Sequence, residues 1–153
     1  MTTTNNLASF TTTSAVDRNP LEVYEAITDV RRWWTGEISG SAEHVGDEFT
    51  YRFGRIHDSR QRVTELEAGR RIVWRVVEAG LWGRQTPDEW VGTHIIFDLE
   101  PTDGGTNVRF THEGLVRSFE CYDDCVYAWT FFVDTSLRRL ITTGEGPAQP
   151  PWA

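Results

Sequence analysis

The chain has 153 residues, 39% hydrophobic and 25% charged, the proportions of a folded domain, which exclude a disordered chain; no run nears the ~18 apolar residues of a membrane span. Its 15 basic and 23 acidic residues leave a formal charge of −8, which excludes the clustered positive surface that nucleic acid or an anionic membrane requires. The length is that of one domain, able to bury a core without metals or disulfide staples. All the basic residues are arginine, a compositional bias consistent with a GC-rich bacterial source. The opening MTTTNNLASF lacks the basic and apolar regions of a secretory signal, so a cytoplasmic protein is expected.

In chain order, residues 7–16 (LASFTTTSAV) are rich in β-formers and predict a first strand. In DRNPLEVYEAITD, Asn19 is a good N-cap, Pro20 suits the first helical position and Glu22 completes a capping box. A short helix is predicted there, followed by a second short helix or turn over DVRRWWTG. Phe49, Tyr51 and Phe53 alternate with polar residues and predict a half-buried strand. Residues 60–67 form a weaker strand, and alternation recurs around Ile72, Trp74 and Val76, around Ile95, Phe97 and Leu99, and around Val108 and Phe110. The turn DGGT joins the last two as a hairpin. Residues 80–89 read as a long loop exposing Trp82.

Residues 118–142 predict a long helix with an apolar stripe of Tyr122, Cys125, Val126, Trp129, Phe132, Val133, Leu137 and Leu140, stopped by Gly144. Tyr127 and Phe131 fall on its other side. An exposed aromatic pair marks an interface, so a homodimer is expected; the competing explanation is cover by a loop or by the PPWA tail. The fold class is α+β: a curved antiparallel sheet of about six to seven strands around one long helix, a single domain over residues 7–144 with flexible termini at 1–6 and 145–153.

Cys121 and Cys125 are four apart in the predicted helix, where Cβ atoms lie ~5–6 Å apart and a disulfide needs ~3.5–4.5 Å. Free thiols are therefore expected, as in a reducing compartment. No zinc spacing, P-loop, dinucleotide fingerprint or nucleophile elbow occurs, so neither metal nor cofactor is expected.

VDRNPLEVYEAITDVRRWW, GDEFTYRF, LEPTDGGTNVRFTHEG and YAWTFFVDTSLRRLITTG, in that order and spacing, resemble a SRPBCC (START-like) helix-grip domain, over roughly residues 8–144. The branch they most resemble is named for activator of heat-shock-protein-90 ATPase homologues. The resemblance implies a deep apolar cavity between sheet and long helix, holding a lipid, sterol, polyketide or other apolar molecule. A Cys-flanked helix start, ECYDDCVYAW, and the long 80–89 loop depart from the family's pattern where a cavity entrance would lie.

Strand parity points Tyr51, Phe53, Trp74, Val76, Phe97, Phe110 and His112 inward, opposite Tyr122, Val126 and Trp129 of the helix. This set is aromatic with a few polar handles, the chemistry of a ligand pocket; packed together, the same rings would simply fill a core. His112 is the candidate for orienting a ligand oxygen or acting as a base, against an ordinary hydrogen-bonded structural role. Of Trp33 and Trp34, one is expected behind the sheet edge and one near the cavity mouth. The leading functional expectation is a binding domain for an apolar small molecule, with no catalytic residue assigned. The alternatives are a cyclase- or dehydratase-type enzyme on the same fold and a protein-interaction or chaperone-regulating module.

Overall fold

A computed structural model describes residues 9–152. Strand β1 (Phe10–Val16) leads into helix α1 (Pro20–Thr28) and a 3-10 turn (Val30–Arg32). Strands β2 (Glu37–Gly40), β3 (Glu48–Phe53), β4 (His57–Glu67), β5 (Arg71–Leu81), β6 (His94–Thr102) and β7 (Gly105–Glu113) follow. The chain ends in a helical rod: α2 (Tyr122–Phe131), a π-helical stretch (Phe132–Leu137) and α3 (Arg138–Thr143). The seven strands form one antiparallel sheet in the order β1-β7-β6-β5-β4-β3-β2, and the core lies between the sheet and the helices.

The local signals explain these elements. Asn19 caps α1: its Oδ1 accepts the Glu22 N–H at 2.9 Å while its Nδ2 donates to Glu22 Oε1 at 2.9 Å. Alternation puts Phe49 and Tyr51 of β3, Trp74 and Val76 of β5 and Phe97 of β6 on the buried face. The other face carries charge: Glu48 takes Arg60 at 2.6 Å and Arg62 at 2.7 Å, and Asp98 takes Arg71 at 2.5 Å. Strand β4 starts at His57, earlier than predicted, and has register shifts at Arg60/Gln61 and Val63/Glu65. Such irregularities bend and twist a strand, here within a sheet that folds around the rod. β2 completes the seven; its EISG sequence holds one apolar residue, so no alternation announced it.

The last helix begins at Tyr122, not at 118. Glu89, from the loop after β5, accepts the Glu120 N–H at 2.8 Å and the Cys121 N–H at 3.3 Å. With these amides held from outside, Cys121 stays non-helical (φ −86, ψ 0) and acts as the cap residue. Gly144 ends the rod in the left-handed region (φ 77).

The tail expected to be loose packs down instead. Ala148 accepts the Thr35 hydroxyl at 2.6 Å and donates its N–H to Ser136 Oγ at 3.3 Å, and Ser136 donates to the Trp33 carbonyl at 2.6 Å. Trp152 then meets Tyr127, Phe131 and Phe132, with ring centroids 5.4, 5.5 and 5.6 Å away. Tail cover thus accounts for Phe131, while Tyr127 remains 58% exposed. Residues 1–8 and 153 lie outside the described residues. No helix among the described residues is long and apolar enough to cross a membrane.

Candidate functional site

Between the sheet and α2 lies a cavity of about 320 Å³. Trp34 and Tyr51 stack at 4.2 Å on one wall, and Trp90 and Trp129 stack at 5.7 Å on another. Phe53, Ile56, Leu81, Ala128 and Phe132 add apolar surface, and Trp152 and Tyr127 border it with the ion pair of Arg84 and Asp124. The loop after β5 makes this shape possible. Register pairing of β5 with β6 covers Arg71 to Arg75, and the chain beyond swings out and returns to insert Trp90, which is buried.

His57 is the polar group of this cavity. Its ring lies edge-on to Trp90 at 4.5 Å and to Tyr51 at 5.3 Å. Nε2 is buried and has no hydrogen-bond partner among the described residues. Burial pulls its pKa down to about 4, against a small opposing pull from Asp58, so the ring is neutral at pH 7. Along the same strand Ser59 Oγ and both amide atoms of Gln61 are likewise buried without a partner. Residues 57, 59 and 61 stand opposite Phe53, Tyr51 and Phe49 of β3, a column of polar side chains along an otherwise aromatic wall. Tyr51 is committed elsewhere: its hydroxyl donates to the Thr35 carbonyl at 2.9 Å, and burial raises its pKa.

His112 has a different fate from the one its inward parity suggested. Trp129 Nε1–H donates to Nδ1 at 3.0 Å, so Nδ1 is the acceptor and Nε2 carries the proton. Nε2–H lies 2.8 Å from Thr93 Oγ1, whose own hydroxyl donates to the Trp90 carbonyl at 2.6 Å. Every polar atom of the ring is used, and burial pulls its pKa down to about 3. The imidazole is a strut between α2, β7 and the Trp90 loop, with nothing free for a ligand. Gly114 closes this strand end at φ 96, where a Cβ would fall 2.9 Å from Thr93 Cγ2.

Of the other inward candidates, Tyr51, Phe53 and Trp129 border the cavity. Trp74, Val76, Phe97 and Phe110 do not: they are fully buried in a solid floor. Trp74 meets Phe97 at 5.4 Å, Phe97 meets Phe110 at 5.2 Å, and Trp33 fills the space above with its centroid 5.9 Å from Phe97. Tyr122 and Val126 are half-buried and off the cavity. The face that α2 turns to the sheet runs through Cys125 and Trp129, with Cys121 buried just ahead of its first residue. His57, Trp90, Leu81, Arg84 and Trp152 went unseen from sequence. His57 opens β4 ahead of the predicted strand, Leu81 closes β5 where a loop was expected, and Arg84, Trp90 and Trp152 belong to loop and tail segments without periodicity. Of the tryptophan pair, Trp33 is the one in the core and Trp34 the one at the cavity.

A curved seven-stranded sheet closed around a long helical rod, with an aromatic-walled cavity between them, defines a helix-grip domain of the SRPBCC class. Residues 17–140 match the family described as Activator of Hsp90 ATPase homolog 1-like protein, and the chain belongs to that family. Among solved structures it is similar to the Aha1 dimer from Colwellia psychrerythraea, at 28% identity and TM-score 0.73 over 90% of this chain and 98% of that one. It is similar also to a Mesorhizobium loti protein, at 17% identity and TM-score 0.70 over 87% and 96% of the two chains. CalU16 from Micromonospora echinospora aligns at 20% identity and TM-score 0.64 over 89% and 77%. A comparison with curated proteins gives no match.

Proposed function

We propose that this protein binds a small, mostly apolar molecule, of the size of one or two fused aromatic rings, in the cavity between the sheet and α2, with a hydroxyl or carbonyl of the ligand meeting His57 Nε2. The observation that carries this is the buried, unpartnered Nε2 set in an apolar wall. Leaving such an atom unpaired costs about 1–3 kcal/mol, which a ligand atom in hydrogen-bond reach restores. The volume of about 320 Å³ stands at the small end of the roughly 300–1,000 Å³ usual for ligand pockets, which favours a compact ring system over a long acyl chain. Of the residues singled out from sequence, Tyr51, Phe53 and Trp129 remain ligand contacts in this proposal, joined by Trp34, His57 and Trp90.

The test is a titration of the whole chain with a panel of fused-ring aromatics and fatty acids, followed by tryptophan fluorescence. Saturable quenching by the aromatics, stronger than by the fatty acids, is expected. A flat response to every compound contradicts the proposal.

A homodimer is the second part of the proposal. The 28% identical relative is described as a dimer, and Tyr127 keeps an exposed aromatic face beside the cavity mouth. Sedimentation at high concentration should give twice the 17.5 kDa chain mass; a monomer throughout removes this part and leaves ligand binding standing.

A further inference from the structure

The two cysteines take no part in the ligand contacts just described, yet their sulfurs are in contact with each other. Both are unbridged and buried. On an uninterrupted helix the spacing of four would hold them apart. Because Cys121 is the non-helical residue capping α2, its side chain instead folds over Cys125, and the sulfurs stand 2.6 Å apart.

Their surroundings differ. Cys121 is fully enclosed, whereas Cys125 is 5% exposed and borders the cavity. The Cys125 S–H donates to Cys121 Sγ; this bond holds the Cys121 thiol below its usual pKa, with Arg84 acting in the same sense, while the same bond and burial push the Cys125 thiol up, so that Cys121 carries the thiolate and Cys125 the proton. The Trp90 indole N–H donates to Cys125 Sγ at 3.3 Å. A thiol with an acidic neighbour in contact, reached through an opening, is the setting of a reactive dithiol.

We propose that Cys125 and Cys121 are a redox pair that closes to a disulfide when a hydroperoxide enters the cavity, Cys125 reacting first and Cys121 resolving. The Cys125 sulfur attacks the terminal oxygen of the hydroperoxide as its proton passes along the hydrogen bond to the Cys121 thiolate, which acts as the general base. A sulfur–oxygen bond forms and the oxygen–oxygen bond breaks, its electron pair leaving as alkoxide (hydroxide from hydrogen peroxide), which takes a proton from water. The Cys121 sulfur then attacks the sulfenic sulfur of Cys125. The disulfide forms, and the departing hydroxide leaves as water with the Cys121 proton. Two sulfurs are oxidised, and the hydroperoxide is reduced to alcohol and water. None of these steps requires a resident ligand.

The experiment treats the whole chain with hydrogen peroxide or cumene hydroperoxide in the presence of dimedone, a sulfenic-acid trap. Wild type should lose both titratable thiols together and lose the mass of two hydrogens, while running as a single chain on a non-reducing gel. Cys121→Ser should halt at a dimedone adduct on Cys125. Cys125→Ser, whose remaining thiol is enclosed, should react at least ~10-fold more slowly. Wild type that keeps both thiols, or that proceeds to sulfinic acid without a disulfide, overturns the proposal. Equal rates for the two variants overturn the assigned order. If either variant fails to fold, the wild-type thiol count and mass still decide.

Discussion

His57 and His112 both meet Trp90 edge-on, with ring centroids 4.5 and 4.7 Å from it, and their hydrogen bonding separates a free polar group from a satisfied one. Burial lowers both pKa values, to about 4 and about 3, from an unfolded value near ~6.5. The unfolded chain therefore binds protons that the folded chain refuses. This contribution to stability is complete above about pH 6.5 and is lost as pH falls through the folded values. Each histidine adds a slope of about 1.4 kcal/mol per pH unit in that window. Denaturant midpoints taken from pH 7.5 to 4.5, an interval set by about those limits, should give a shallower fall for His57→Leu than for wild type, by about one proton; identical slopes would place His57 in water. His112→Ala should cost about 3 kcal/mol in urea unfolding, because it opens a cavity and strands the Trp129 indole N–H. A loss under about 1 kcal/mol would mean that the strut carries nothing.

At the scale of elements, the loop after β5 and the start of α2 are one device. Glu89 holds the Glu120 and Cys121 amides, and the same loop delivers Trp90 to the cavity. Glu89→Ala should cost about 1–2 kcal/mol, the range of a lost helix cap, and should speed hydrogen exchange at the Glu120 and Cys121 amides. Unchanged exchange there would refute the coupling of loop to helix. The elements legible in the sequence are those whose signals are local: the Asn19 cap, the alternation of β3, β5, β6 and β7, the Gly144 stop. β2, the late helix start and the π-helical stretch were not legible, because partners distant in sequence decide them. Ser136 illustrates this, buried in the π-helical stretch and bonded to Trp33 and Ala148. A Ser136→Ala chain should release the tail, seen as faster proteolysis beyond residue 144 and a loss of about 1–2 kcal/mol.

At the scale of the molecule, side-chain parity told which residues face inward but not which of them leave space between. Trp33 closes the floor over Trp74 and Phe97, while Trp90, carried in on a loop without periodicity, forms part of the cavity wall. The polar member of the site moved accordingly, from the satisfied His112 to the unpartnered His57. The central claim is that the cavity admits an apolar ring system and that His57 recognises its polar atom. The most direct measurement compares 1-naphthol with naphthalene on wild type and on His57→Leu, by tryptophan quenching. Wild type should bind the naphthol more tightly by about tenfold, the worth of one buried hydrogen bond, and His57→Leu should bind both alike. If neither compound binds wild type, or if the variant keeps the naphthol preference, the account of this cavity is wrong.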